Sequence, residues 1–180
     1  MRIANRWGFF KGLMVLGCIL NGVACSGVPN PKDVAVDLFK ENPPTLLGAI
    51  VAGPELNVRT DGVATSAVVR IYELGDPSEF NQLDFFAVVQ SPKTVLGDDL
   101  LNIKEFVVLP GSTVILDSRE LAKGTSHIGV VADFRDWQGA QWRALMPLEQ
   151  DNKTYIGISV DKNVLSVTEE SRKWLRKLQK

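Results

Sequence analysis

Cysteine is nearly absent: Cys18 and Cys25 are the only two, and both lie within the first 25 of 180 residues. The rest of the chain therefore has no disulfide and no thiolate metal site, and its stability must come from apolar burial. Histidine occurs once, as His127, which excludes sites built on paired or clustered imidazoles. The serines around it, Ser112, Ser118 and Ser126, form no G-x-S-x-G elbow. Asp98-Asp99 and Asp133/Asp136 lack EF-hand spacing and have no phosphate loop beside them. His127 reads as a structural residue at a strand edge, and the aspartates as turn caps, solvated groups or partners of Arg135 or Arg143. A cross-strand ion pair with Arg143 would be worth under about 1 kcal/mol if exposed. No catalytic, metal-binding or cofactor-binding residue is assigned, and the expected protein is not an enzyme. The formal net charge of -1, with no dense basic face, argues against nucleic acid as a partner. Nor is there an apolar run of the roughly 20 residues that a membrane span needs.

What the N-terminus does contain is a short apolar run behind a basic start. Arg2, Arg6 and Lys11 precede the uncharged stretch from Leu13 to Val23, and Gly22-Val23-Ala24 lead into Cys25. This arrangement resembles a bacterial lipoprotein signal peptide, in which the cysteine is acylated and starts the mature chain. Cys18 is a rival, because Val15-Leu16-Gly17-Cys18 is nearer to the usual lipobox. It would leave only Leu13 to Leu16 as apolar core and begin the mature chain with Ile19-Leu20. Cys25 is the preferred lipidation site. Ser26 is then the sorting residue, and the lack of aspartate there favours the outer membrane, with the domain facing the periplasm. The expected organisation is a signal peptide over 1–24, an acylated cysteine and tether over 25–44, and a folded domain over 45–180. Cleavage removes three cations and takes the formal charge from -1 to -4 on 156 residues, enough for one domain with one substantial core.

Pro29, Pro31, Pro43 and Pro44 suit an extended tether. Beyond it, short apolar runs alternate with turn residues. Strands are expected at Leu46 to Val51, Ala67 to Leu74, Lys104 to Leu109, Thr113 to Asp117, His127 to Arg135, Gln141 to Leu148, Thr154 to Val160 and Val164 to Val167. Trp142, Ala144, Met146 and Leu148 alternate, as do Ile156, Ile158 and Val160, so each of these strands buries one face. Phe80, Leu83 and Ala87 recur at helical spacing behind Asp76-Pro77-Ser78, and a helical insertion is expected over about 77–101. A terminal helix over about 168–180, capped by Thr168, carries Trp174, Leu175 and Leu178 as an apolar stripe among five cations. The fold class expected is all-β with minor helical additions, an antiparallel β-sandwich of about seven or eight strands.

Five segments carry a further resemblance. They are Val68-Val69-Arg70-Ile71-Tyr72-Glu73-Leu74, Asp84-Phe85-Phe86-Ala87, Leu96-Gly97-Asp98-Asp99-Leu100, Phe106-Val107-Val108-Leu109-Pro110-Gly111, and Ile128 to Asp136 with Gln141-Trp142-Arg143. In this order, behind a lipoprotein signal, they resemble the type VI secretion system outer-membrane lipoprotein family, TssJ. The resemblance implies a transthyretin-like sandwich, tethered to outer-membrane lipid and bound to the periplasmic C-terminal region of TssM, and through it to TssL. It places the TssM contact on the loop between the first two strands: Val58, Arg59, Thr60, Asp61, Gly62, Val63, Ala64, Thr65 and Ser66. Gly22, the proline-rich leader and the basic tail depart from the family pattern. The rival readings are a periplasmic lipoprotein that carries a small ligand or glycan in a sandwich cleft, and a hydrolase working through His127 or paired aspartates.

Overall fold

The computed structural model describes residues 44–148 and 153–180. Cys18, Cys25, Ser26, the tether and the turn at Asp151-Asn152 lie outside the described residues. Eight strands follow in chain order: β1 (Thr45–Ala52), β2 (Ala67–Leu74), β3 (Leu100–Val108), β4 (Thr113–Glu120), β5 (His127–Asp133), β6 (Arg143–Pro147), β7 (Lys153–Asp161) and β8 (Val164–Glu169). They form two four-stranded sheets, ordered β4-β1-β7-β8 and β3-β2-β5-β6. The apolar faces close on each other. Leu46 and Ile50 of β1, Val69 and Ile71 of β2, Ile128, Val130 and Ala132 of β5, and Ile156, Ile158 and Val160 of β7 fill the space between the sheets. Trp142, Ala144, Met146 and Leu148 pack against the same core, as their alternation requires.

One pairing departs from an antiparallel sandwich. β1 and β7 run parallel, from Thr45 opposite Lys153 to Ala52 opposite Val160. A tight hairpin forces its two strands antiparallel, whereas β7 enters this sheet from β6 of the other one and is under no such constraint.

The second sheet is covered on both faces. On its outer side Tyr72, Leu74, Phe80, Phe85, Val88, Leu96 and Val131 form a second apolar cluster. Its lid is built from α1 (Phe85–Gln90) and α2 (Pro92–Leu96), followed by a single 3-10 turn at Gly97–Asp99. The helical insertion begins later than its periodicity suggests. Phe80 and Leu83 lie in turns, and their carbonyls accept hydrogen bonds from Arg143 Nη1 at 3.1 and 2.7 Å instead of continuing a helix. Asp84 is the N-cap, accepting from the backbone N–H of Ala87 at 3.0 Å. Phe80 is fully buried because β5 presents a glycine beneath it: a Cβ on Gly129 would stand 2.7 Å from the ring. Phe85 stacks on Trp137 with centroids 5.4 Å apart, whereas Phe86 keeps half of its surface exposed beside the same indole.

Both ends of the expected tail helix are trimmed. Thr168 belongs to β8, opposite Gly157, and the cap is Ser171, which accepts from the N–H of Trp174 at 3.2 Å. The helix itself is α3 (Arg172–Leu178), with Leu175 buried.

Candidate functional site

The connection from β1 to β2 is a built structure and not a slack loop. Asn57 sits at its base in the left-handed region, at φ 49°, which asparagine tolerates better than most residues. Its amide Nδ2 donates to the carbonyl of Ser66 at 2.7 Å, and its Oδ1 accepts from the N–H of Arg135 at 2.8 Å. Its backbone N–H donates to Lys162 O, and its own carbonyl accepts from Thr65 Oγ1 at 2.7 Å. One residue thus joins both stems of the loop to the β5–β6 connection and the β7–β8 turn. Neither composition nor periodicity marks Asn57. The only sequence signal was an asparagine placed between a strand and a turn-rich stretch.

Above this base the loop closes on itself. The N–H of Arg59 donates to Val63 O at 2.9 Å and that of Gly62 to Arg59 O at 2.9 Å, with Gly62 at φ 81°. This is the bonding pattern of a three-residue hairpin tip, where glycine meets a left-handed conformation without steric cost. Asp61 Oδ1 accepts from the N–H of Val63 at 3.2 Å, and the Asp61 carboxylate pairs with Arg59 at 2.9 Å. Val58, Arg59, Thr60, Asp61, Gly62, Val63 and Ser66 are exposed, while Ala64 and Thr65 are half-buried.

The hairpin stands among other apolar groups that face water. Gly111 of the β3–β4 turn donates its N–H to Gly53 O, and the turn between β7 and β8 holds Asn57. This end of the sandwich therefore carries Val58, Val63, Val107, Leu109 and Val164, five of the seven exposed large apolar residues among those described. Isolated exposed apolar residues are ordinary, but a cluster on one end of a domain suits a protein contact. Beside the hairpin lies an open depression of about 240 Å³ lined by Glu55, Asn57, Val58, Asp136, Lys162 and Asn163, with Glu55 and Lys162 paired at 3.3 Å. A second, of about 410 Å³, opens between the edge strands β3 and β4 and is lined by Lys104, Glu105, Asp117 and Arg119 among others.

The remaining ionisable residues serve the scaffold. His127 begins β5, with Nδ1 2.8 Å from Ser126 Oγ, which in turn donates to the carbonyl of Gly75. Asp133 does not pair with Arg143 as the sequence suggested. Arg70 of β2 and Arg143 of β6 both stand opposite Val131, two residues from Asp133, and it is Arg70 that Asp133 meets, at 3.6 Å, while the Nε of Arg70 also bonds Glu105 at 2.7 Å. Arg143 is drawn instead to the carbonyls of the insertion, its guanidinium 4.8 Å above the ring of Trp142. Asp98 and Asp99 form the 3-10 turn, and Asp99 O accepts from the N–H of Gly75. Glu73 is fully buried. Its Oε1 meets Arg119 and accepts from Asn102 Nδ2 at 2.9 Å, while Oε2 accepts from the N–H of Ala122 at 2.7 Å. Among the described residues no three of His, Cys, Asp and Glu gather to hold a metal, and no helix is long and apolar enough to cross a membrane.

Comparison with known proteins gives this geometry its context. The family model described as "Type VI secretion lipoprotein, VasD, EvfM, TssJ, VC_A0113" matches residues 44–163. The chain is 27% identical to the crystal structure of the T6SS lipoprotein TssJ1 from Pseudomonas aeruginosa, covering 72% of this chain and 98% of that one with a TM-score of 0.68. It is 28% identical to a chain of a structure titled type VI membrane complex, over 69% of this chain and 98% of that one, with a TM-score of 0.61. It is also 29% identical to a chain of a structure described as T6SS protein TssM C-terminal domain (869-1107) from EAEC, over 69% and 97% of the two chains, with a TM-score of 0.57. No curated protein matches the chain significantly in sequence. With two thirds of its length matched by the family model, and with the two-sheet fold of TssJ1, this chain belongs to the type VI secretion lipoprotein family, a family of membrane-complex components and not of enzymes.

Proposed function

We propose that this protein is the outer-membrane lipoprotein of a type VI secretion membrane complex. Acyl chains on Cys25 hold it at the membrane, with Ser26 directing it to the outer one, and the Val58–Ser66 hairpin binds the periplasmic C-terminal region of TssM. Through TssM it is connected to TssL. The observation that carries this reading is the hairpin: exposed, apolar at Val58 and Val63, and held in shape by Asn57 before any partner arrives. A loop already ordered costs less to dock than one that must freeze on binding. Holding the domain at the membrane raises the effective concentration at which docking proceeds, so a moderate affinity suffices. The two relatives whose titles name the membrane complex and the TssM domain support the same partner.

Two measurements test the reading separately. Replacing Cys25 by Ser should move the protein from the membrane to the soluble periplasmic fraction and abolish secretion; continued membrane fractionation of that variant contradicts the anchor. Shortening the tip within Arg59 to Thr65, with Thr65 itself kept because it bonds Asn57, should weaken capture by the periplasmic segment of TssM while lowering thermal stability little, because surface loops tolerate changes in length. Undiminished capture would move the contact elsewhere.

A further inference from the structure

Helix α3 lies beyond the residues that the family model matches, which end at 163. Arg172, Lys173, Arg176, Lys177 and Lys180 place five cations and no acid in the last nine residues. All five are exposed. None of them pairs with a described carboxylate. The helix is held by its other side, where Leu175 is buried and Trp174 lies over Gly157 of β7. The cations therefore contribute nothing visible to the fold, and their neighbours Glu169 and Glu170 stand before the helix, with Glu170 bonded to Thr168 Oγ1 at 3.1 Å.

Position gives this patch a direction. Glu170 donates its N–H to Tyr155 O, and Thr154 and Tyr155 lie opposite Leu46 and Leu47 at the start of β1. The basic helix thus sits at the end of the sandwich where the chain arrives from Cys25. The Val58–Ser66 hairpin follows the other end of β1: from Leu47, level with Tyr155, to Ala52 is five residues, or about 17 Å along the strand.

We infer that α3 docks on the anionic phospholipid headgroups of the leaflet that holds the acyl chains, and so orients the domain with its hairpin away from the bilayer. The inference rests on lipidation at Cys25 and adds orientation to it. Acyl chains fix a protein to the membrane but do not aim it. The 20 residues from Cys25 to Pro44 reach up to roughly 65 Å when extended, enough for the domain to lie either way up. A cluster of cations near an anionic surface gains about fivefold in contact probability per Lys or Arg, an attraction that fades within a Debye length. Binding of this kind is too weak to anchor the domain and strong enough to set its tilt.

The test uses the acylated protein in vesicles. A fluorophore on Gln179→Cys reports the basic helix and one on Thr60→Cys the hairpin tip, each with an energy acceptor among the lipids. On vesicles containing phosphatidylglycerol, transfer from position 179 should exceed that from position 60 at least about twofold, as a height difference of roughly 17 Å or more requires. The two should become equal on phosphatidylcholine vesicles, and in about 0.5 M salt, where the Debye length falls to roughly 4 Å. They should also become equal when Arg172, Lys173, Arg176 and Lys177 are all changed to Glu. Equal transfer in the unmodified sequence, or a difference that survives both salt and charge reversal, overturns the proposal. It falls equally if charge reversal leaves transfer unchanged but weakens capture of the TssM segment, which would make the patch a protein contact. Failure to float with vesicles of any composition overturns the anchor at Cys25 instead, and the orientation with it. The salt series needs no variant, so misfolding of the reversed chain cannot decide the outcome.

Discussion

Three side chains hold positions that chemistry makes hard to replace. Asn57 combines a left-handed backbone with two side-chain hydrogen bonds, to Ser66 O and from the N–H of Arg135. Asn57→Ala should cost about 2–3 kcal/mol, from the lost bonds and the strain of a Cβ there, and Asn57→Gly less, because it relieves the strain. Urea denaturation of the pair checks the order; an alanine variant as stable as the parent would remove the residue from the account. Glu73 is a buried carboxylate that joins the two sheets through Arg119 of β4. Removing one member of such a pair leaves the other uncompensated, so Glu73→Ala should lose about 3–5 kcal/mol in the same measurement. Tyr72 donates its hydroxyl to Val88 O at 3.0 Å, and burial, partly offset by Arg70, pushes its pKa up to about 12. A raised phenol pKa means that the folded state retains the proton longer than the unfolded chain. This contribution to stability is complete below pH 10 and is lost as pH rises towards 12. The stability advantage of the parent over Tyr72→Phe should therefore shrink between pH 10 and 12; an advantage independent of pH would contradict the burial argument.

Among the elements, the helical lid is the one whose position depends on a single backbone feature. Gly129→Ala should force Phe80 off β5 and destabilise the domain by about 1–3 kcal/mol, seen as a lower thermal midpoint and loss of near-ultraviolet aromatic signal. The same element shows where sequence reasoning stops. The strands were legible because alternation survives in single segments, as in Ile156, Ile158 and Val160. Phe80 and Leu83 fit a helical spacing equally well, yet Arg143, 60 residues or more away, takes their carbonyls and keeps that stretch in turns. The parallel pairing of β1 with β7 depends likewise on a crossover between sheets that local pattern does not carry. At the hairpin, the segment Val58 to Ser66 could be found as a loop too long for a two-residue turn. Its base could not, because Asn57 works through Arg135 and Lys162, both distant in sequence.

Taken whole, the described domain is a scaffold with a chemical polarity. Its interior is filled by the two sheets and the lid, one end carries the hairpin with Val58, Val63, Val107, Leu109 and Val164, and the other receives the chain from its N-terminal segment. Such a body suits attachment at one end and recognition at the other. The account therefore turns on the hairpin as a protein contact. The most direct measurement is the affinity of the purified periplasmic C-terminal segment of TssM for the parent chain, for Val63→Asp, and for Leu101→Asp as a control. Val63 is 53% exposed at the hairpin, and Leu101 is exposed near the opposite end of β3. Placing a charge at a contact centre should weaken binding at least about tenfold, equivalent to roughly 1.4 kcal/mol, with the melting temperature unchanged. The account predicts that loss for Val63→Asp and none for Leu101→Asp; equal affinity of all three proteins would contradict it.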